Sequence, residues 1–380
     1  MTFDREISIS LMFDSFRSTS RASERFPSGF VVPPPLPAAR QSHAAVLLER
    51  SGVVVVFGGR GETTDRRAGP RAYLNDVLVF DPRRGSWRTH APLDGVDWPS
   101  PRHNHSMCVV ADTLVIFGGS GAAGFVNDLW LLRFEDGDVR FSRVSETAPW
   151  PTARHGHACT VIEGHGRPFV VLQGGHSGRQ SEGATYHGDL WLLDLVDGVA
   201  SFSLVEAPLA PGSGQSRHKE RSWHSMVTME RNTVALGFGY SFRNRAEFYF
   251  GDLWLIEFEL NGSTWRTNWR QLTVTGDATV MVARNRVAWC ALDGRRVFSC
   301  GGNEFDGRRD EFYSLPCIFD VDAEAGRVHA TLLRSRAESK TVRLGHAVAL
   351  RVSESEVLIC GGELNRRRLD VVVGFSLAPV

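Results

Sequence analysis

Arg154-His155-Gly156-His157, the apolar run Phe169-Val170-Val171-Leu172-Gln173, the pair Gly174-Gly175 and then Asp189-Leu190-Trp191-Leu192-Leu193 decide the fold, because each part recurs along the chain. A diglycine closes an apolar run after Val53–Phe57, Leu114–Phe117, Val297–Cys300 and Val357–Cys360 as well. A degenerate copy, Gly237-Phe238-Gly239, follows Thr233–Leu236. With first glycines at positions 58, 118, 174, 237, 301 and 361, the steps are 60, 56, 63, 64 and 60 residues. A near-constant period of this length is the mark of a repeat architecture, and six copies fit the chain.

Two further signals keep step. Ahead of the diglycine lies Arg-x-x-His, as Arg40/His43, Arg102/His105, Arg154/His157, Arg221/His224 and Arg343/His346, with Arg286/Trp289 in the fifth unit. Behind it an acidic residue leads an apolar run from Asp76, Asp128, Asp189 and Asp252, more weakly from Glu311 and Asp370. About 13 residues later comes an aromatic, Trp87, Phe141, Phe202 or Trp265. Each unit therefore reads as four short strands, rich in β-branched and aromatic residues and too short for buried helices. One such unit cannot bury both its faces. Six set radially around an axis bury each face on a neighbour and leave only short edges.

Arg-x-x-His, an apolar strand, Gly-Gly, Asp-Leu-Trp and an aromatic fourth strand together resemble the kelch repeat over residues 40 to 380. The resemblance implies an all-β, six-bladed propeller of the galactose oxidase central-domain type, with four antiparallel strands per blade. Blades are expected to start near residues 40, 102, 154, 221, 286 and 343, with residues 1–39 as closing strand and linker. The sixth unit ends ten residues after Asp370, which leaves no room for a fourth strand. An open edge would leave backbone groups unpaired. The alternating segment Ile7, Ile9, Leu11 and Phe13 is one candidate to complete that blade, and Phe26–Val32 is the other.

Lysine plus arginine equals aspartate plus glutamate at 43 each, so the basic footprint of a nucleic-acid binder is missing. Lys219 and Lys340 are the two lysines; the positive charge is almost all arginine, suited to planar contacts with carboxylates. Six cysteines lie outside any Cys-x-x-Cys spacing and mostly within apolar runs, as expected of buried free thiols. Without an apolar run long enough to cross a membrane or a signal-like start, a soluble protein of the cytoplasm, or of the nucleus, is expected.

The repeating residues read as scaffold. His103-x-His105 and His155-x-His157 look like metal-ligand pairs, yet His105 and His157 recur at one repeat position, which favours blade geometry. The diglycines open no helix and carry no Lys-Ser/Thr, so they are not phosphate loops. Trp130, Trp191 and Trp254 read as inter-blade core, and the repeat aspartates as partners of backbone or of the repeat arginines. Recognition is expected in the variable loops after the diglycines, which the register puts on one face of the ring. Candidate partner-binding residues there are Arg60, Arg66, Arg67, Arg71, Arg179, Tyr186, Tyr240, Arg243, Arg245, Asn303, Arg308, Arg309, Arg366 and Arg367. Such a surface suits a protein or peptide partner, with an acidic one favoured, bound by a monomeric propeller within a complex. No catalytic constellation emerges, and no cofactor, metal, nucleic acid or membrane is expected. The competing reading is a carbohydrate-active or metal-dependent enzyme on the same propeller, mutarotase- or oxidase-like.

Overall fold

Short β-rich runs separated by turn residues become antiparallel sheets in the computed structural model, six of them around a common axis. The structure describes residues 28 to 377 apart from 29, 30, 32, 62–71, 136, 147–148, 180–182, 197, 206–219, 231, 306–309, 334–342, 354, 365–366 and 371. Blade two shows the pattern. Ser106–Val110, Thr113–Phe117, Leu129–Glu135 and Asp138–Val144 lie side by side, each antiparallel to the next. Blades one, three and four have the same plan. Blade five gains Thr273–Gly276, parallel to its outermost strand Arg327–Leu332. Blade six has three described strands, Val348–Ser353, Glu356–Cys360 and Val372–Ser376.

The six inter-blade gaps are filled by six apolar clusters, one per gap. Trp130 packs between blades one and two, Trp191 between two and three, and Trp254 between three and four, as expected of core aromatics. Phe57, Phe80, Phe258 and Phe298 are wholly buried, each worth roughly 1.5–3 kcal/mol of burial. The fourth-strand aromatics Phe141 and Phe202 pack edge-on against Trp98 and Trp150.

At the axis the backbone closes on itself. Asn104 N–H donates to Ser42 O (2.9 Å), Gly156 to Asn104 (2.9 Å), Trp223 to Gly156 (2.7 Å), Arg286 to Trp223 (2.8 Å), His346 to Arg286 (3.3 Å) and Ser42 to His346 (3.2 Å). All six residues have positive φ, between 52° and 65°. Five of them are not glycine, so five local strains of this kind are held by the circuit that needs them.

That circuit fixes the register and corrects two readings of the sequence. The wholly buried arginine of blade five is Arg284, not Arg286, and Val287 holds the repeat-histidine position. In blade six Leu344 and Ala347 hold the arginine and histidine positions, while Arg343 is exposed. Arg286 and His346 are axial residues instead. Two smaller shifts follow. Phe238, with φ of 60°, takes the first-glycine position of blade four, and Glu311 lies in the hairpin strand Asp310–Phe312 rather than leading the third strand of blade five.

The repeat aspartates do pair with the repeat arginines. Arg40, Arg102, Arg154 and Arg221 each grip Asp76, Asp128, Asp189 or Asp252 with two nitrogens on two oxygens, at 2.6–2.9 Å. Trp130, Trp191 and Trp254 each donate a further indole N–H bond of 2.7 Å to the same aspartate. Of the two candidate closing segments, Ile7–Phe13 lies outside the described residues. In the other, Val31 is buried in the core between blades six and one, and Ser28 N–H donates to Glu356 Oε1 at 2.9 Å.

Candidate functional site at the mouth of the axial channel

The segments after the diglycines fold as short hairpins. They are Ser120–Gly121 with Gly124–Phe125, His176–Ser177 with Thr185–Tyr186, Tyr240–Arg243 with Ala246–Tyr249, Asn303–Phe305 with Asp310–Phe312, and Glu363–Leu364 with Arg367–Arg368. In blade one the long strands Val53–Gly61 and Ala72–Asp81 continue past the diglycine. The first hairpin residue always bridges to the residue after the repeat-arginine position: Arg60 to Gln41, Ser120 to His103, His176 to His155, Tyr240 to Ser222, Asn303 to Asn285 and Glu363 to Gly345. Five blades therefore bring a polar pair to one mouth of the channel, and blade six brings Glu363 beside Gly345.

The floor of that mouth is Trp223. A Cβ on Gly156 would lie 2.9 Å from the Trp223 indole, so the glycine is what lets this ring lie across the axis. The Arg286 guanidinium sits 4.0 Å above the Trp223 ring centre, a close cation–π contact. His155 and His176 are joined Nε2 to Nε2 at 2.8 Å, and both rings touch Trp223. Tyr186 stacks on His176 at 4.9 Å, and Tyr240 closes the wall against Tyr186 and Trp223. On the far wall Tyr73 packs on His103 and lies under the Arg60 guanidinium.

Burial keeps these imidazoles neutral. It is the leading cause for His103, held at about 4, and for His176, held at about 3. Arg286 pushes both the same way, and Arg60 adds to the effect on His103. His155 and His346 lie well below the usual range, from burial first, then from neighbouring histidines and Arg286. Two neutral rings sharing one Nε2–H···Nε2 bond leave one Nδ1 as donor and the other as acceptor. Neither Nδ1 has a partner among the described residues. The mouth is thus cationic through arginine, aromatic in its walls, and lined by neutral imidazoles.

Of the residues singled out in the sequence, Arg60, Tyr186, Tyr240 and Asn303 meet here. Arg243 turns away to Glu220, Arg245 is exposed at a hairpin turn, and Arg179 is exposed between the two strands of the blade-three hairpin. Arg66, Arg67, Arg71, Arg308, Arg309 and Arg366 lie outside the described residues, as does the side chain of Arg367. Sequence reasoning missed His103, His155, Trp223, Arg286 and His346 as mouth residues. Their signal was position: they sit inside the Arg-x-x-His segment yet vary from blade to blade. Asn104 at positive φ turns His103 to the mouth and His105 into the blade gap against Phe57, so that pair does not converge. Among the described residues no group of three or more His, Cys, Asp or Glu is placed to hold a metal ion, and no helix is long and apolar enough to cross a membrane. A cavity of about 350 Å³ beside Trp150 and Arg143 is remote from the mouth. Its Trp150–Asn127 bond is repeated as Trp98–Asn75 in blade one, which marks it as packing of the repeat.

A family model described as the KLHDC2/KLHL20/DRC7 Kelch-repeats domain matches residues 18–237. Adagio protein 3 of Arabidopsis thaliana is 24% identical over 315 residues, covering 81% of this chain and 45% of that protein. Kelch domain-containing protein 3 of Mus musculus is 30% identical over 171 residues, 41% of each. The chain thus spans less than half the length of either relative. The solved structure of YjhT matches with a TM-score of 0.59 at 13% identity, over 90% of this chain and 95% of that one, a likeness of fold. With its six Gly-closed blades, its Arg–Asp grips and this match, the chain belongs to the kelch-repeat family.

Proposed function

We propose that the protein is an interaction platform that takes an acidic segment of a protein partner at the channel mouth. Kelch-repeat proteins are generally interaction scaffolds. The observation that carries the reading further is the pair of guanidinium groups at this mouth, Arg60 over the Tyr73 ring and Arg286 over the Trp223 ring. Arginine and aromatic side chains in a partly desolvated basin are the usual anchors of binding energy. A carboxylate there meets guanidinium groups already ordered by Tyr73 and Trp223, so little freedom is lost on binding. The test is affinity purification from the native cell with wild type and Arg60→Ala/Arg286→Ala, folding being checked by thermal melting. Partners retained by wild type should fall at least tenfold with the variant and should elute with excess polyglutamate. An unchanged partner set would sink the reading.

The imidazole pair favours one rival, a carbohydrate-active enzyme at the same mouth. A donor and an acceptor Nδ1 linked through one hydrogen bond could pass a proton between two points of a sugar. Anomer exchange by NMR over a panel of reducing sugars, compared with His155→Ala and His176→Ala, separates this from simple binding.

A further inference from the structure

Five of the six blade gaps share one arrangement near the axis, and one of them holds two thiols. In these gaps, counting on from the repeat-histidine position, the third residue of one blade shares an apolar cluster with the second residue of the next. Val46 meets Met107, Val227 meets Trp289, Cys290 meets Ala349, and Leu350 meets Ala45, each pair within one apolar cluster. Between blades two and three the same two positions are Cys108 and Cys159, again in one cluster. His157 Nε2 and Ser106 Oγ, 2.8 Å apart, bind the same two strands together just above.

We propose that Cys108 and Cys159 are an oxidisable pair, a disulfide site between the innermost strands of blades two and three that hydrogen peroxide closes. The two thiols occupy the facing positions of this gap, and both are free in this structure. Cys108 is buried, whereas Cys159 is half-buried on the innermost strand, which makes Cys159 the one a small oxidant reaches first. The neighbouring Cys108 thiol is the main cause that holds the Cys159 thiol below its usual range. Ser106 adds to it, while burial opposes. Its greater exposure makes Cys159 the attacking sulfur of this pair.

The chemistry closes. The Cys159 thiolate attacks one peroxide oxygen, the O–O bond breaks, and sulfenic acid and hydroxide form. The Cys108 sulfur then attacks the sulfenic sulfur, the S–O bond breaks and a second hydroxide leaves. The two protons of the original thiols convert both hydroxides to water. Two thiols are oxidised by two electrons and one peroxide is reduced. The bridge joins the strands that begin three residues after His103 and His155, so it fastens one wall of the mouth. The inference does not depend on what the mouth binds.

The test uses the whole chain. Folded protein is exposed to hydrogen peroxide, quenched with catalase, unfolded, alkylated with iodoacetamide and digested. The expected result is one cross-linked peptide pair containing Cys108 and Cys159. Alkylation of both should fall at least fivefold, and dithiothreitol should restore it. In Cys108→Ser, dimedone should label Cys159 instead, because the sulfenic acid has no thiol to meet. Full alkylation of both thiols after peroxide would overturn the proposal. So would a bridge between other cysteines, or one that forms only in unfolded protein. The wild-type measurement decides the matter even if the variant does not fold.

Discussion

In blades one to four a wholly buried arginine grips a half-buried aspartate at two points, and a buried histidine from the next strand closes over the diglycine of the preceding blade. Blade five keeps the arginine but not the aspartate. Arg284 donates to the carbonyls of Gly301, Val280 and Val282, and lies 4.3 Å over the Phe238 ring. Blade six lacks both the arginine and the histidine, with Leu344 and Ala347 in their places. The difference teaches that the ring needs the axial backbone circuit everywhere, while the ionic fastening of each blade is optional. The two longest links of that circuit, 3.3 and 3.2 Å, are the ones on either side of blade six.

Acid should break this comparison most strongly. His43, His105, His157 and His224 belong to the first four blades, and burial leads the causes that hold His43 and His157 at about 3 and the other two well below the usual range. A buried histidine whose folded pKa is lowered gives its full stability above the unfolded value of about 6.5, and loses about 1.4 kcal/mol per pH unit below it. For Asp128, Asp189 and Asp252 burial acts upward, but the paired arginine and the indole N–H outweigh it. Their stabilisation is present above about pH 4 and is lost as pH falls further. His346 puts a buried neutral histidine in blade six as well, so hydrogen exchange between pH 7 and 4 should show blade five losing protection last. Uniform loss around the ring would erase the distinction.

Asp128→Ala should cost about 3–5 kcal/mol in urea unfolding, because it strands the Arg102 charge in the core. Arg284→Met, at the site already without a carboxylate, should cost no more than about 2 kcal/mol for its lost carbonyl bonds. Equal costs would mean that the carboxylate is incidental. Val287→His probes a compensating swap. A Cβ at Gly58, Gly118 or Gly174 lies 3.0–3.1 Å from the next blade's histidine ring, and Phe238 stands where blade four would need that glycine. Val287→His alone should cost about 1–3 kcal/mol by overpacking, and Phe238→Gly should recover part of it. Additive costs would show that the two positions do not communicate. The smallest effect should come from Trp130→Phe, about 1 kcal/mol for the indole bond to Asp128.

The closing seam is a separate proposal. Deleting residues 1–35 removes Val31, worth roughly 1.5–3 kcal/mol of burial, and should lower the melting temperature of the whole ring. Unchanged melting would end the idea that the N-terminal segment completes blade six.

The blade count was readable because the glycines answer to a backbone demand: Gly58, Gly118, Gly174, Gly301 and Gly361 have φ of 62–74°. Register in blades five and six was not, since Arg286 and His346 imitate the motif from the wrong positions. The true occupants, Val287, Leu344 and Ala347, are small or apolar residues permitted by changes in the facing blade. The hairpin half of the mouth was legible as variable polar loops. The axial half was hidden inside the repeat, where His155 and Trp223 looked like spacers.

The amide circuit around the axis has an electrical consequence. Its dipoles run head to tail in a circle, so their components across the ring cancel, unlike those of a helix end that gathers partial charge at one point. The floor therefore lends the mouth little field of its own in the plane of the ring. Whatever attracts an anion there must come from a few side chains, which makes the surface easy to retune by substitution without disturbing the blades beneath.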